Sequence, residues 1–269
     1  MIMRFIVSFL LLVLLLVSGL LFYVDYGAVS LVPILQYQHI AEVEGKSLDT
    51  VHPSSFRDQM KFIADNKYTV ISLYDLAKIY KKKEKIPKRT LAITFDGGYQ
   101  DFFEHGLSAA SKYHFPITVF LQSGNLGKAG FMNKDTVKKI YESYSKYVSF
   151  GSNGQTGRDL TRMSGADAYG EIFSSRSSLI KELEISVDFF SFPGGGVTSF
   201  LMDKVKESGY LGACATLPGR RMPNTNSLVM KRVAITTTDD NPILYKLKLW
   251  GNYILFEEWR REKKTRDTR

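Results

Sequence analysis

The chain has 269 residues, 44% of them hydrophobic and 23% charged, which is the composition of a globular protein long enough to bury a sizeable core. Its net charge of +9 sits largely in KKKEKIPKR at 81–89 and RREKKTRDTR at 260–269, runs that read as a solvated loop and a solvated tail. No basic stripe is interleaved with aromatics, so nothing argues for nucleic acid as a partner, and the single cysteine, Cys214, excludes an intramolecular disulfide and any cysteine-based metal cluster.

Residues 5–24, FIVSFLLLVLLLVSGLLFYV, form an uncharged, mostly apolar run of 20. As a helix this length spans about 30 Å, the hydrocarbon thickness of a bilayer. Arg4 precedes the run and Asp25 follows it, which places the N-terminus in the cytoplasm and the rest outside. The run is long for a signal peptide, and no clear A-x-A site follows it, although Ser18-Gly19 supplies small residues. A single-pass anchor is therefore the expectation, with cleavage as the alternative; on both the main domain is exported, periplasmic or extracellular. The expected organisation is an anchor at 1–26, a main domain at 27–240, and a C-terminal helix and basic tail at 241–269.

Strand-like and helix-like segments then alternate. VPILQYQ (32–38) is a short apolar run, and SSFRDQMKFIADN (54–66) is helical, capped by Ser54 or Ser55. YTVISL (68–73) reads as a strand, YDLAKIYKK (74–82) as a helix, and LAITF (91–95) as a buried strand. Residues 101–114 form a helix ended by Pro116, followed by strand ITVFLQ (117–122), a helix over 134–147 and strand VSFG (148–151). A long helix over 166–183 precedes strand FFSF (189–192), a helix over 199–208 and strand YLGACAT (210–216). The last helix spans 241–262, with Asn241 as cap and Pro242 at its first position.

Strands separated by helices pair in parallel through right-handed crossovers, and six or more such units favour a closed α/β barrel. In that architecture chemistry collects at the carboxyl ends of the strands. This selects QYQH (36–39), DGGYQD (96–101), GSNGQTGRDL (151–160) and FPGGG (192–196), with Asp96 on a glycine turn as the leading candidate.

The ordered set PILQYQHI, FRDQMKFIADNKYTVISLYDL, ITFDGGYQD, ITVFL, GSNGQTGRDLTRM, FFSFPGGG and ESGYLGACATLPG resembles the polysaccharide deacetylase family over about residues 32–235. That family, carbohydrate esterase family four, includes the nodulation-type chitooligosaccharide deacetylases. The resemblance implies a distorted (β/α) barrel of about seven units, preceded here by the transmembrane helix. It also implies metal-assisted hydrolysis of an acetamide, with zinc or another divalent ion held by one aspartate and two histidines.

By the family pattern the general-base position is Asp96, and the ligand positions are Gly97, Asn153 and Gly157. Glycine has no ligand atom and asparagine offers a weak one, whereas a catalytic zinc takes about three protein ligands. A metal lowers the pKa of its water from about 15.7 to about 7, so losing it forfeits on the order of 10 kcal/mol of nucleophile activation. A general base alone returns about 3–5 kcal/mol. The expectation is thus a metal-less pseudoenzyme, with no cofactor, that binds N-acetylated polysaccharide or a partner protein. The alternative is an active N-deacetylase with relocated zinc ligands.

Tyr37, Tyr99, Phe192, Pro193 and Gly194 are the expected groove wall, the aromatics being at least partly core. His39 and Asp101 are weaker replacement ligands, the first read as a loop histidine and the second as a helix cap. Asp159 reads as holding a turn. For Asp96 itself the structural alternative is a carboxylate accepting backbone N–H bonds from its glycine turn.

Overall fold

A computed structural model describes residues 31–223 and 225–267, together with Leu12, Val13 and Leu15 of the segment before them. Strand β1 (Ile34–Tyr37) leads into two short strands, β2 (His39–Ile40) and β3 (Thr50–Val51), which pair with each other in parallel. Helix α1 (Pro53–Asp65), β4 (Thr69–Val70), α2 (Leu73–Lys82) and β5 (Thr90–Gly97) follow. A π-helical turn at Phe102–Gly106 runs into α3 (Leu107–Lys112), then come β6 (Ile117–Leu121), α4 (Lys134–Tyr144) and β7 (Val148–Ser152). The chain continues through α5 (Gly165–Leu183), β8 (Phe189–Ser191), α6 (Ser199–Glu207), β9 (Gly212–Thr216) and β10 (Met230–Ala234). It closes with α7 (Pro242–Lys248) and α8 (Tyr253–Asp267).

Seven of these strands form a parallel ring in the order β1-β10-β9-β8-β7-β6-β5, and β5 closes it on β1 with Ile34 opposite Ala92 and Tyr37 opposite Phe95. Strand β4 flanks the start of β5, with Thr69 opposite Thr90. Closure leaves the ring without a free edge.

Alternation along the strands divides the core in two. From β5, Leu91, Ile93 and Phe95 point outward to meet Phe56, Met60 and Ile63 of α1, and the same layer takes in Ile172 and Leu179 of α5 and Leu201 and Val205 of α6. Ala92 points inward to a smaller cluster with Ile34, Phe120, Phe189, Cys214 and Met230, closed by Leu73, Leu76 and Tyr80 of α2. Gly151 makes room for this filling, since a Cβ there would lie 2.6 Å from the Phe120 ring. Burying a side chain such as Phe120 is worth about 1.5–3 kcal/mol.

Several sequence expectations shift. Helix α1 starts at Pro53 with His52 before it and no side-chain cap, because proline's fixed φ starts the helix ahead of Ser54 and Ser55. The strand expected at 68–73 keeps only Thr69–Val70, because Ser72 accepts a bond from the Asp75 N–H and starts α2. The helix expected over 241–262 is two helices, broken by a turn at 249–252. Strand β10 had no counterpart among the expected elements.

The compact unit runs Val32–Arg269 and holds the barrel and both cores, Tyr245 and Leu249 of the C-terminal region included, so it carries what it needs to fold by itself. The expected anchor at 5–24 lies outside the described residues except for Leu12, Val13 and Leu15, which are helical. No helix among the described residues is long and apolar enough to cross a membrane.

Candidate functional site

At the carboxyl end of the ring the interior turns polar. Asp96 points inward from β5, and β1 separates β5 from β10, with Ile34 opposite both Ala92 and Arg232. The long Arg232 side chain spans that gap and grips Asp96 in a fork, Nη1 to Oδ1 at 2.7 Å and Nη2 to Oδ2 at 2.6 Å. Oδ2 also accepts from Gln36 Nε2 at 2.8 Å and from Ser191 Oγ at 3.0 Å. Four side-chain donors thus fill most of what a carboxylate can accept. These donors, not the backbone N–H groups of the glycine turn, hold Asp96, because its place on β5 aims the carboxylate into the ring.

Arg232 donates further to Thr94 Oγ1 at 3.2 Å and Ser191 Oγ at 2.8 Å, and Thr216 Oγ1 donates to Gln36 Oε1 at 2.6 Å. The Arg232 side chain is fully buried. Burial works against its charge, but the Asp96 carboxylate outweighs that and holds the guanidinium above its ordinary value. Its Nε has no hydrogen-bond partner.

The facing wall is equally committed. Asn153 accepts from Gln122 Nε2 at 3.3 Å and donates to the Ser191 carbonyl at 3.1 Å. The loop after it is pinned by buried Glu171, which accepts from the Gln155 and Thr156 N–H groups at 2.7 and 2.9 Å and from the Thr156 hydroxyl at 2.8 Å. Gly157 has φ +73°, and a Cβ there would lie 2.2 Å from the Gln122 amide. Gly97, at φ +96°, lies under Tyr99, and its Cβ would fall 2.1 Å from that ring. No three His, Cys, Asp or Glu side chains converge among the described residues.

The expected groove residues scatter. Tyr37 is fully buried on the outer face of β1, stacked on Phe95 with its hydroxyl donating to Gln59, and Phe192 packs edge-on against Phe190. Neither has surface to offer a sugar, which corrects their expected place in the wall: each projects outward from the ring into the helix layer. Pro193 is buried, while Gly194 is exposed in the tight turn after β8.

Tyr99 alone of the three aromatics reaches the mouth, its ring 3.8 Å from that of His39, and partial burial raises its phenol above the ordinary value. His39 Nδ1 lies 2.7 Å from Asp101 Oδ2. Asp101 therefore does not cap a helix as expected: the chain behind it enters a π-helical turn, and its carboxylate turns to His39 instead. Asp159 does hold a turn, accepting from the Thr161 N–H at 3.0 Å.

Gln36 lay within the selected stretch QYQH, whereas Arg232, Ser191, Thr216 and Gln122 had not been expected at the site. For Arg232 a signal existed: in LVMKRVAI, 228–235, apolar residues flank the Lys-Arg pair on both sides, which fits a strand carrying one charged residue inward.

Residues 83–213 match the polysaccharide deacetylase family. The chain is 24% identical over 217 residues to the poly-β-1,6-N-acetyl-D-glucosamine N-deacetylase of Staphylococcus aureus (strain MSSA476), covering 76% of this chain and 73% of that protein. Among solved structures it is similar to the Streptococcus pyogenes deacetylase PplD in complex with acetate, with a TM-score of 0.67, 19% identity, and coverage of 80% of this chain and 96% of that one. It is also similar to IcaB from Ammonifex degensii, with a TM-score of 0.68, 14% identity, and coverage of 82% and 97%. At these identities the structural likeness speaks for the fold. The sequence match over residues 83–213 and the closed seven-strand ring agree in giving this chain a polysaccharide deacetylase domain.

Proposed function

We propose that this protein keeps the deacetylase barrel without its metal chemistry and binds an N-acetylated polysaccharide, or a protein that presents one, without turning it over. One observation carries the reading: Asp96, at the family's general-base position, is clamped by Arg232 through both carboxylate oxygens. A base must present a free lone pair to the proton it takes. Here the donors that occupy Asp96 come from the barrel itself.

The residues do not fit the metal that the family resemblance implies. Positions 97 and 157 are glycines with no ligand atom, and both amide atoms of Asn153 are spent on Gln122 and Ser191. Tyr99 and Gln122 fill the space that side chains at 97 and 157 would need. Affinity for a sugar does not depend on turnover, since wall contacts bind it equally well without the chemical step.

The glycan class is taken from the family and from the Staphylococcus aureus relative, whose name specifies poly-β-1,6-N-acetyl-D-glucosamine. An exported domain tethered by residues 5–24 is part of the same proposal, supported by the length and flanking charges of that run.

The test uses residues 32–269. Binding of β-1,6-linked N-acetylglucosamine oligosaccharides is measured by calorimetry, and acetate release is followed with zinc or cobalt added. Binding without acetate is the expected result. Acetate release that disappears in Asp96→Asn overturns the proposal in favour of an active deacetylase.

A further inference from the structure

Helices α7 and α8 present to solvent what helices normally hide. Ile243, Leu244, Leu247 and Trp250 are exposed on and just after α7, and Phe256 and Trp259 on α8, six large apolar side chains within residues 243–259. The core-facing side of the same segment is separately satisfied, by Tyr245, Leu249 and Ile254. The exposed apolar groups are therefore surplus to the fold.

The charges are sorted in the same direction. On α8 the positions 256, 259, 260, 263 and 264 fall on one face, so Phe256 and Trp259 continue into Arg260, Lys263 and Lys264, all exposed. Lys263 Nζ lies 5.7 Å from the Trp259 ring centre. Of the acidic side chains, Glu258 is buried against Lys231 at 2.8 Å, and Glu257, also buried, pairs with Arg260 at 2.7 Å, so the cations outnumber the acids on this face. Exposed Lys246 adds a cation on α7.

We propose that α7 and α8 form a docking surface for an anionic lipid bilayer. Tryptophan, phenylalanine and leucine enter the headgroup boundary while the lysines and arginines beside them meet lipid phosphates. A second copy of the chain suits the face less well, because a symmetric contact would oppose the two rows of cations. The inference is independent of the glycan-binding proposal and of residues 5–24.

The protein contains two tryptophans, Trp250 and Trp259, so emission excited selectively from tryptophan reports on this surface. The experiment mixes residues 32–269 with phosphatidylglycerol/phosphatidylcholine vesicles or with phosphatidylcholine vesicles, and follows sedimentation and emission. The expected result is co-sedimentation and a blue shift with the anionic vesicles only, reversed by raised salt. Lys246→Glu with Lys263→Glu should weaken binding at least tenfold, from about fivefold per lysine. Leu247→Ser with Phe256→Ser should remove the blue shift while circular dichroism stays native.

Lys81→Glu with Lys85→Glu changes net charge equally in the 81–89 run, distant in sequence from α7 and α8, and should leave binding intact. The proposal is overturned if the folded protein stays in the supernatant, or if the distant pair weakens binding as much as the local pair. It is equally overturned if emission shifts with protein concentration alone, which would assign the face to a second copy.

Discussion

Removing the Asp96 carboxylate tests whether it is structural or poised for chemistry. Asp96→Ala leaves the Arg232 guanidinium, fully buried, without its counter-charge. Breaking a buried pair from one side costs about 3–5 kcal/mol, a large share of the ~5–15 kcal/mol that holds a domain together. Arg232→Met strands the carboxylate instead and should cost a similar amount. The double variant strands no charge, and the Thr216–Gln36 bond and Ser191 can still pair among themselves, so its cost should fall to about 2–3 kcal/mol. The cycle then gives a coupling of at least ~3 kcal/mol. Urea unfolding of residues 32–269, followed by far-UV circular dichroism, should show each single variant's midpoint lowered by about 1–2 M at unchanged slope. A poised catalytic base behaves oppositely, since its replacement is commonly neutral or stabilising. If Asp96→Ala costs less than about 1 kcal/mol, or if the two single costs simply add, the clamp is not what holds this end of the barrel.

The other expectations concern the same packing. Glu258→Ala should cost about 3–5 kcal/mol, because Lys231 is buried and loses its carboxylate; trypsin cleavage within α8, faster than in the parent, is the readout. Gly97→Asp, Asn153→His and Gly157→His together should not create a zinc site, because new Cβ atoms at 97 and 157 collide with Tyr99 and Gln122 at φ values that disfavour any side chain. Adding Tyr99→Ala and Gln122→Ala relieves the collisions, and calorimetry with zinc separates the two sets; tight binding by the triple variant alone would refute this. Burial pushes the Cys214 thiol from 9.0 up to about 12. A raised acid pKa means the folded state keeps a proton that the unfolded state releases, so this contribution is whole below about pH 9 and is lost as pH rises from about 9 to 12. Across that window Cys214→Ala should flatten the fall of unfolding free energy by about 1.4 kcal/mol per pH unit, measured by urea titration at successive pH values.

Strand β5 and the strands that follow it were legible because fully buried parallel strands are continuous apolar runs, bounded here by glycine and proline. Strand β10 was not legible, because Lys231 and Arg232 make it look like a surface segment, yet both are buried and paired with acids at 96 and 258. Nothing local announces such partners; the closest lies 27 positions away and the other 136. The same holds for Asp101, whose place before a helix suggested a cap until β2 brought His39 beside it.

The residue types at 96, 97, 153 and 157 are read directly from the sequence, and two glycines there bring no ligand atom, because ligand atoms belong to side chains whatever the fold does. Only the closed ring decided what surrounds them. By seating β1 between β5 and β10, closure brings Arg232 across to Asp96, and its alternation sends Tyr37 and Phe192 out into the helix layer. Register across non-neighbouring strands decides which side chains meet, and no short stretch of sequence carries it.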